Sequence, residues 1–257
     1  TEITSNIGDS NIVAISAGGI HSLFLDENGD VYSCGRNNNG QLGIDVFDRT
    51  AKYIPTKIET LSNIVAIGAG GNHSLFLDDL GNIYSCGKND KGQLGRIAGD
   101  YAYAKRYVPI RINTFKKITT GTSYSEDELI DTKPNIVAIS AGYNHSLFLD
   151  ENGYVYGSGE NDEGYLGIPP FQDYYGTYIY DRDAPTRINN FYYFNDTPIS
   201  PPPNIVTISA CYQHSLFLDE NGNVYSCGTR NYIGREEVNN NRKRSARIDT
   251  FSNLDGP

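Results

Sequence analysis

Short apolar, β-branched runs separated by glycine and by acidic-asparagine clusters recur along the whole chain, and no long stretch carries the apolar period of a helix. Ile12-Val13-Ala14-Ile15 is one such run, closed by Gly18 and Gly19. His21 to Asp26 follows, and Glu27-Asn28-Gly29 supplies hairpin-turn chemistry before Val31-Tyr32-Ser33-Cys34. After Gly43 comes a variable insert, then a further run, Tyr53 to Ile58, which carries Pro55. That run returns as Val108 to Ile112, Ala184 to Ile188 and, without proline, Ser245 to Ile248. Proline cannot donate to a sheet ladder, so this run is expected to form the edge of its sheet.

The unit as a whole is repeated. Asn11–Gly43 returns at Asn63–Gly95 and Asn135–Gly167, and a shortened copy starts at Asn204. Its histidines, His21, His73, His145 and His214, are 52, 72 and 69 residues apart. A repeat of this size is one supersecondary unit that buries its apolar face only against its neighbours. The expected fold is all-β, with four four-stranded antiparallel blades of a β-propeller. The repeats run over about residues 11–62, 63–134, 135–203 and 204–257 of a single propeller domain.

The phrase shared by the copies, I-S-A-G-x-x-H-S-L-F-L-D-x-x-G-x-V-Y-S-x-G-x-N-x-x-G-Q-L-G, resembles the repeat of the regulator-of-chromosome-condensation family. The resemblance implies a seven-bladed propeller, of which four repeats are present here, so the propeller is expected to be partial, open, or part of a larger one. Three departures stand out. Cys34, Cys86, Ser158 and Cys227 occupy the place where the family commonly has tryptophan, Cys211 replaces the glycine found at Gly18, Gly70 and Gly142, and the fourth repeat is shortened between Gly228 and Gly234.

Composition narrows the functional classes. The 257 residues carry a net charge of −10, which speaks against nucleic-acid binding and favours basic partners. The one basic cluster, Arg242-Lys243-Arg244, beside Asn239-Asn240-Asn241, reads as a solvated loop. No apolar run approaches the roughly 20 residues that span a bilayer. The chain has no methionine and begins at Thr1, as expected of a processed chain, a fragment or a trimmed one. Equivalent cysteines on neighbouring blades lie too far apart for a disulfide, which points to an intracellular, reducing compartment: cytoplasm, nucleus or virion.

Chemistry finds little to stand on. The four histidines fall one per blade, so no metal site is expected, and each imidazole is expected to bond backbone within its own blade. Gly35 to Leu42 superficially resembles a phosphate loop, but Gln41 and Leu42 stand where lysine and a hydroxyl are needed. Gly40, Gly92 and Gly164 are read as structural positions. No catalytic set and no cofactor site are expected.

Because the strands repeat almost letter for letter, function is sought where the copies differ. Ile168–Asp183 and Asn189–Pro203 are dense in aromatics, and Tyr174, Tyr175, Tyr178, Tyr180, Tyr192 and Tyr193 are the candidate partner-binding residues. A second insert, Asn113 to Pro134, is polar and carries Glu126, Asp127 and Glu128. The first reading is a non-enzymatic protein-interaction or scaffold module. The resemblance implies a second, a chromatin-associated guanine-nucleotide exchange factor for a small GTPase. A third is a structural component of a larger, viral assembly, since asparagine, tyrosine and isoleucine suggest an AT-rich genome. Expected partners are a basic protein or a small GTPase, with self-association to complete the propeller as an alternative.

Overall fold

The computed structural model describes residues 10–96, 106–118, 128–172, 177–193, 197–233 and 245–248. Blade 1 is β1 (Ile12–Ala17), β2 (His21–Asp26), β3 (Val31–Gly35) and β4 (Lys52–Lys57). Blade 2 is β5 (Ile64–Ala69), β6 (His73–Asp78), β7 (Ile83–Gly87) and β8 (Arg106–Arg111). A linker then carries β9 (Lys116–Lys117) and β10 (Glu128–Leu129). Blade 3 is β11 (Ile136–Ala141), β12 (His145–Asp150), β13 (Val155–Gly159) and β16 (Arg182–Arg187), with a hairpin of β14 (Phe171–Gln172) and β15 (Tyr178–Ile179) in its insert. Then come β17 (Phe191–Tyr192) and blade 4, which is β18 (Ile205–Ala210), β19 (His214–Asp219), β20 (Val224–Gly228) and β21 (Ser245–Arg247). Within every blade consecutive strands pair antiparallel. The chain is therefore an open β-propeller of four blades, packed 1 on 2, 2 on 3 and 3 on 4.

The repeated letters explain the repeated geometry. The aspartate that ends the second strand of each blade accepts two backbone N–H groups at its own turn: Asp26 Oδ1 takes Asn28 N at 3.0 Å and Asp30 N at 2.9 Å, and Asp78, Asp150 and Asp219 do the same. Its other oxygen accepts a tyrosine hydroxyl from the next strand, as in Tyr156 to Asp150 at 3.1 Å and Tyr225 to Asp219 at 3.0 Å. The asparagine of N-x-x-G-Q-L-G accepts the leucine amide, Leu42 N to Asn37 Oδ1 at 3.0 Å, and so closes the loop after the third strand. An identical bulge interrupts the innermost strand of all four blades, between Ile12 and Ala14 in the first. It leaves Val13, Val65, Val137 and Val206 unpaired and about half exposed or more, a break in the alternation that the apolar pattern hides.

The proline-bearing strand is the sheet edge in blades 1 and 2, but not in blade 3. There β9, from the linker before that blade, pairs parallel to β16, and β10 pairs with β9. β17 does the same for β21 of blade 4. Proline tolerates this because a single ladder position, Thr186 opposite Lys116, suffices. So part of the polar Asn113–Pro134 insert is strand, and Glu128 pairs with Lys117 at 3.4 Å. Glu126, Asp127 and the Arg242–Arg244 cluster lie outside the described residues.

Gly40, Gly92 and Gly164 have φ of +82°, +85° and +81°. At Gly92 a Cβ would also stand 2.5 Å from the carbonyl oxygen of Arg182 in blade 3. Gly92→Val therefore carries both a backbone and a packing penalty, expected to exceed about 1 kcal/mol. Denaturant titration checks this, and an unchanged midpoint would refute it.

Candidate protein-interaction face

The first three histidines do not bond backbone within their own blade as the sequence suggested. Each of the first three reaches the next blade. His21 Nε2 meets Ser74 Oγ at 2.8 Å, His73 meets Ser146 at 2.9 Å, and His145 meets Ser215 at 3.1 Å. Each serine in turn donates its hydroxyl to a backbone carbonyl of the preceding blade: Ser74 to Gln41 at 2.6 Å, Ser146 to Gln93 at 2.7 Å, Ser215 to Tyr165 at 2.6 Å. A serine has one proton to give, so each of these three histidines donates from Nε2; its Nδ1 is buried with no acceptor for a second proton, which favours the neutral ring. Burial agrees, pushing His21 down to about 4 and His73 and His145 to about 3 from 6.5. The histidines are thus a sealed, repeated joint between blades. Among the described residues no three histidine, cysteine or acidic side chains are arranged to hold a metal ion, and all four cysteines are free.

Antiparallel strands decide which loops share an end. The β1–β2 turns and the inserts after the third strand lie at one end, here the insert end. The β2–β3 hairpins and the linkers between blades lie at the other. The aromatic candidates therefore divide. Tyr178 and Tyr180, with ring centroids 6.4 Å apart, belong to the insert end. Tyr192 and Tyr193 follow β16 and belong to the opposite end, where Tyr193 lines a hollow with Pro201, Pro202 and Pro203. Tyr174 and Tyr175 lie outside the described residues. The hairpin bearing Tyr178 is anchored at its base by Arg182, which donates to the carbonyls of Pro169 at 2.6 Å and Tyr180 at 2.9 Å. Lys91 of blade 2 ties it sideways, 3.2 Å from Asp181 and 3.3 Å from Asp162.

Sequence reasoning missed two residues of the insert end. The innermost turns of the four blades meet at the axis around a hollow of about 240 Å³ lined by Gly19, Gly71, Tyr143 and Tyr212 and their neighbours. Backbone hydrogen bonds step from turn to turn, Gly19 N to Gly70 O at 3.0 Å and Tyr143 N to Cys211 O at 3.1 Å. Blades 1 and 2 put glycine at the position where blades 3 and 4 put Tyr143 and Tyr212, whose rings lie 4.8 Å apart. They are 39% and 52% exposed, and Tyr178 is 56% exposed. The signal was present in the copies as A-G-G, A-G-G, A-G-Y, A-C-Y.

Models of the regulator of chromosome condensation (RCC1) repeat match residues 28–77 and 81–149, and residues 12–41, 64–93, 136–164 and 205–232. The chain belongs to this family. Among curated RCC1-repeat relatives it is 29% identical over 230 residues to the guanine nucleotide exchange factor SRM1 of Saccharomyces cerevisiae, covering 85% of this chain and 41% of that protein. It is 29% identical over 241 residues to the RCC2 homolog of Danio rerio, covering 90% and 44%. It superposes on Prp20p of Saccharomyces cerevisiae with a TM-score of 0.74 at 25% identity, covering 96% of this chain and 52% of that one. The chain thus spans less than half the length of these curated relatives.

In this RCC1-repeat chain the buried histidines make stability depend on pH. Their folded pKa values lie below the unfolded 6.5, so the unfolded chain binds more protons between about 3 and 6.5. The stabilisation is complete above 6.5 and is lost as pH falls through that window, by about 2 kcal/mol per histidine at about pH 5. Melting temperature should drop on going from neutral pH to about pH 5, and His73→Gln should remove about a third of that slope. A slope unaltered in His73→Gln would show that other groups carry it.

Proposed function

We propose that this chain is a non-enzymatic protein-interaction module, a single propeller domain that receives its partner at the insert end. One observation carries this. The strands are nearly identical, whereas the departures among the innermost turns and the third insert place exposed aromatics, Tyr143, Tyr178 and Tyr212, at one end of one rigid frame. Tyrosine offers a large contact area with few rotors to freeze. Three of the four histidines are buried between blades with Nε2 committed to a serine, which supports a non-catalytic role. The charge of −10 favours a basic partner. Four free cysteines fit a reducing, intracellular setting, and no helix among the described residues is long and apolar enough to cross a membrane.

A second reading is nucleotide exchange on a small GTPase. It is supported by the relative named as a guanine nucleotide exchange factor and by the solved relative characterised for its binding to Gsp1p and histones. The two readings separate in one set of assays. Purified core histones and a GDP-loaded small GTPase of the Gsp1p type are offered to the chain, with GDP release followed in parallel. The module reading expects binding without accelerated GDP release. It expects Tyr143→Ser/Tyr178→Ser/Tyr212→Ser to weaken that binding by about 2 kcal/mol or more while Tyr192→Ser/Tyr193→Ser leaves it intact. Accelerated release would favour the exchange reading, and equal loss in both variants would remove the insert end as the site.

With its acidic charge the chain should not bind duplex DNA tightly at physiological salt. A submicromolar affinity with a steep salt slope would contradict this.

A further inference from the structure

Each junction inside the chain has a leading half and a receiving half. The leading half is the histidine with the apolar residues that alternate with it, and the receiving half is the serine with a phenylalanine two residues on. Leu23, Leu25 and Val31 of blade 1 pack with Phe76 and Cys86 of blade 2. Leu75, Leu77 and Ile83 pack with Phe148 and Tyr156. Leu147, Leu149 and Val155 pack with Phe217, Tyr225 and Cys227.

At the two ends of the four-blade array, one half of a junction stands without its counterpart among the described residues. Blade 4 presents a leading half: His214, Leu216, Leu218 and Val224 are only half-buried, although their counterparts in the other blades are buried. Blade 1 presents a receiving half: Ser22, Phe24 and Cys34 are half-buried and Ile15 is 76% exposed, while Ile208, at the same place in blade 4, is 9% exposed. A third feature matches. Each linker plants a large apolar residue in the next blade: Leu61 in blade 2, Phe115 against Tyr156 at 5.3 Å and Phe191 against Tyr225 at 5.2 Å. These close the phrases Ile58-Glu59-Thr60-Leu61, Ile112-Asn113-Thr114-Phe115 and Ile188-Asn189-Asn190-Phe191, and the sequence writes the phrase once more as Ile248-Asp249-Thr250-Phe251.

We propose that the leading face of blade 4 docks on the receiving face of blade 1 of a second copy of this chain, head to tail. The contact repeats the joint made three times within the molecule, with His214 donating to Ser22 of the second copy and the carbonyl of Tyr232 accepting from that serine. Because the two faces differ, the association is heterologous and either closes into a ring or extends. One side chain opposes it. A Cβ at Gly18, Gly70 or Gly142 would strike both its own blade's histidine ring and the next blade's backbone carbonyl, and blade 4 has Cys211 at that position. The second copy therefore sits less tightly at the axis than an internal blade does, and the contact is weaker for it.

Sedimentation equilibrium of the 257-residue chain in reducing buffer, up to about 100 µM, tests this. Wild type should self-associate. Ile15→Glu spoils only the receiving face and Leu218→Glu only the leading face, so each alone should be monomeric. Mixed one to one they should form a dimer and nothing larger, through the one intact face of each. Tyr232→Glu, at a 48% exposed position, replaces Leu218→Glu if that variant does not fold. Cys211→Gly should tighten wild-type association by at least about tenfold. A wild type monomeric throughout overturns the proposal. It is equally overturned by association that neither variant weakens, or by a mixture that stays monomeric, the mark of a symmetric contact.

Discussion

The structure depends on one joint between blades: a neutral histidine donating to a serine of the next blade, whose hydroxyl donates back to a carbonyl of the first. No blade can satisfy these groups alone. A buried imidazole, hydroxyl and carbonyl each left without a partner would cost on the order of 1–3 kcal/mol, so the joint ties blades together by the penalty of opening it as much as by its bonds. The surrounding leucines and phenylalanines supply the bulk of the attraction, since they are fully buried only where two blades meet. The histidine–serine–carbonyl relay fixes the register in which they meet. Cys86 and Cys227 extend the same logic, because their thiols face the carbonyls of Gln41 and Tyr165 that the serines also use.

This joint explains how an almost monotonous sequence yields a differentiated surface. Strands and hairpins are committed to the frame by Asp26, Asp78, Asp150 and Asp219 at the turns and by the relay between blades. What is left free to vary is the innermost turn, the insert after the third strand and the linker. The linkers are partly absorbed as β9 and β17, which brace the outer strands of blades 3 and 4. The innermost turns and inserts share an end, and there the copies diverge into Tyr143, Tyr178 and Tyr212.

Much of this was legible in the letters. The alternation in H-S-L-F-L-D, the D-x-x-G turn and the N-x-x-G-Q-L-G loop each encode a local hydrogen-bond pattern, so the blades could be read directly, and the resemblance to the RCC1 repeat followed from the same residues. The partner of each histidine could not be read, because Ser74 is 53 residues from His21 and only the stacking of blades brings them together. The bulge beside Val13 was hidden for a related reason: an apolar run looks the same whether or not one residue is skipped in the ladder. The aromatic candidates were grouped by density along the chain, yet Tyr178 and Tyr193 flank one strand, β16, and a strand carries its two flanks to opposite ends. Tyr143 and Tyr212 were visible only as differences between copies at a position otherwise held by glycine.

Histidine and serine of adjacent blades act as one unit. A double-mutant cycle on His73 and Ser146, each replaced by alanine singly and together, measures that coupling directly by equilibrium unfolding at neutral pH. The two losses should not be additive, with a coupling energy of about 1 kcal/mol or more. Losses that simply add, leaving a coupling near zero, would contradict this and reduce the joint to apolar packing alone.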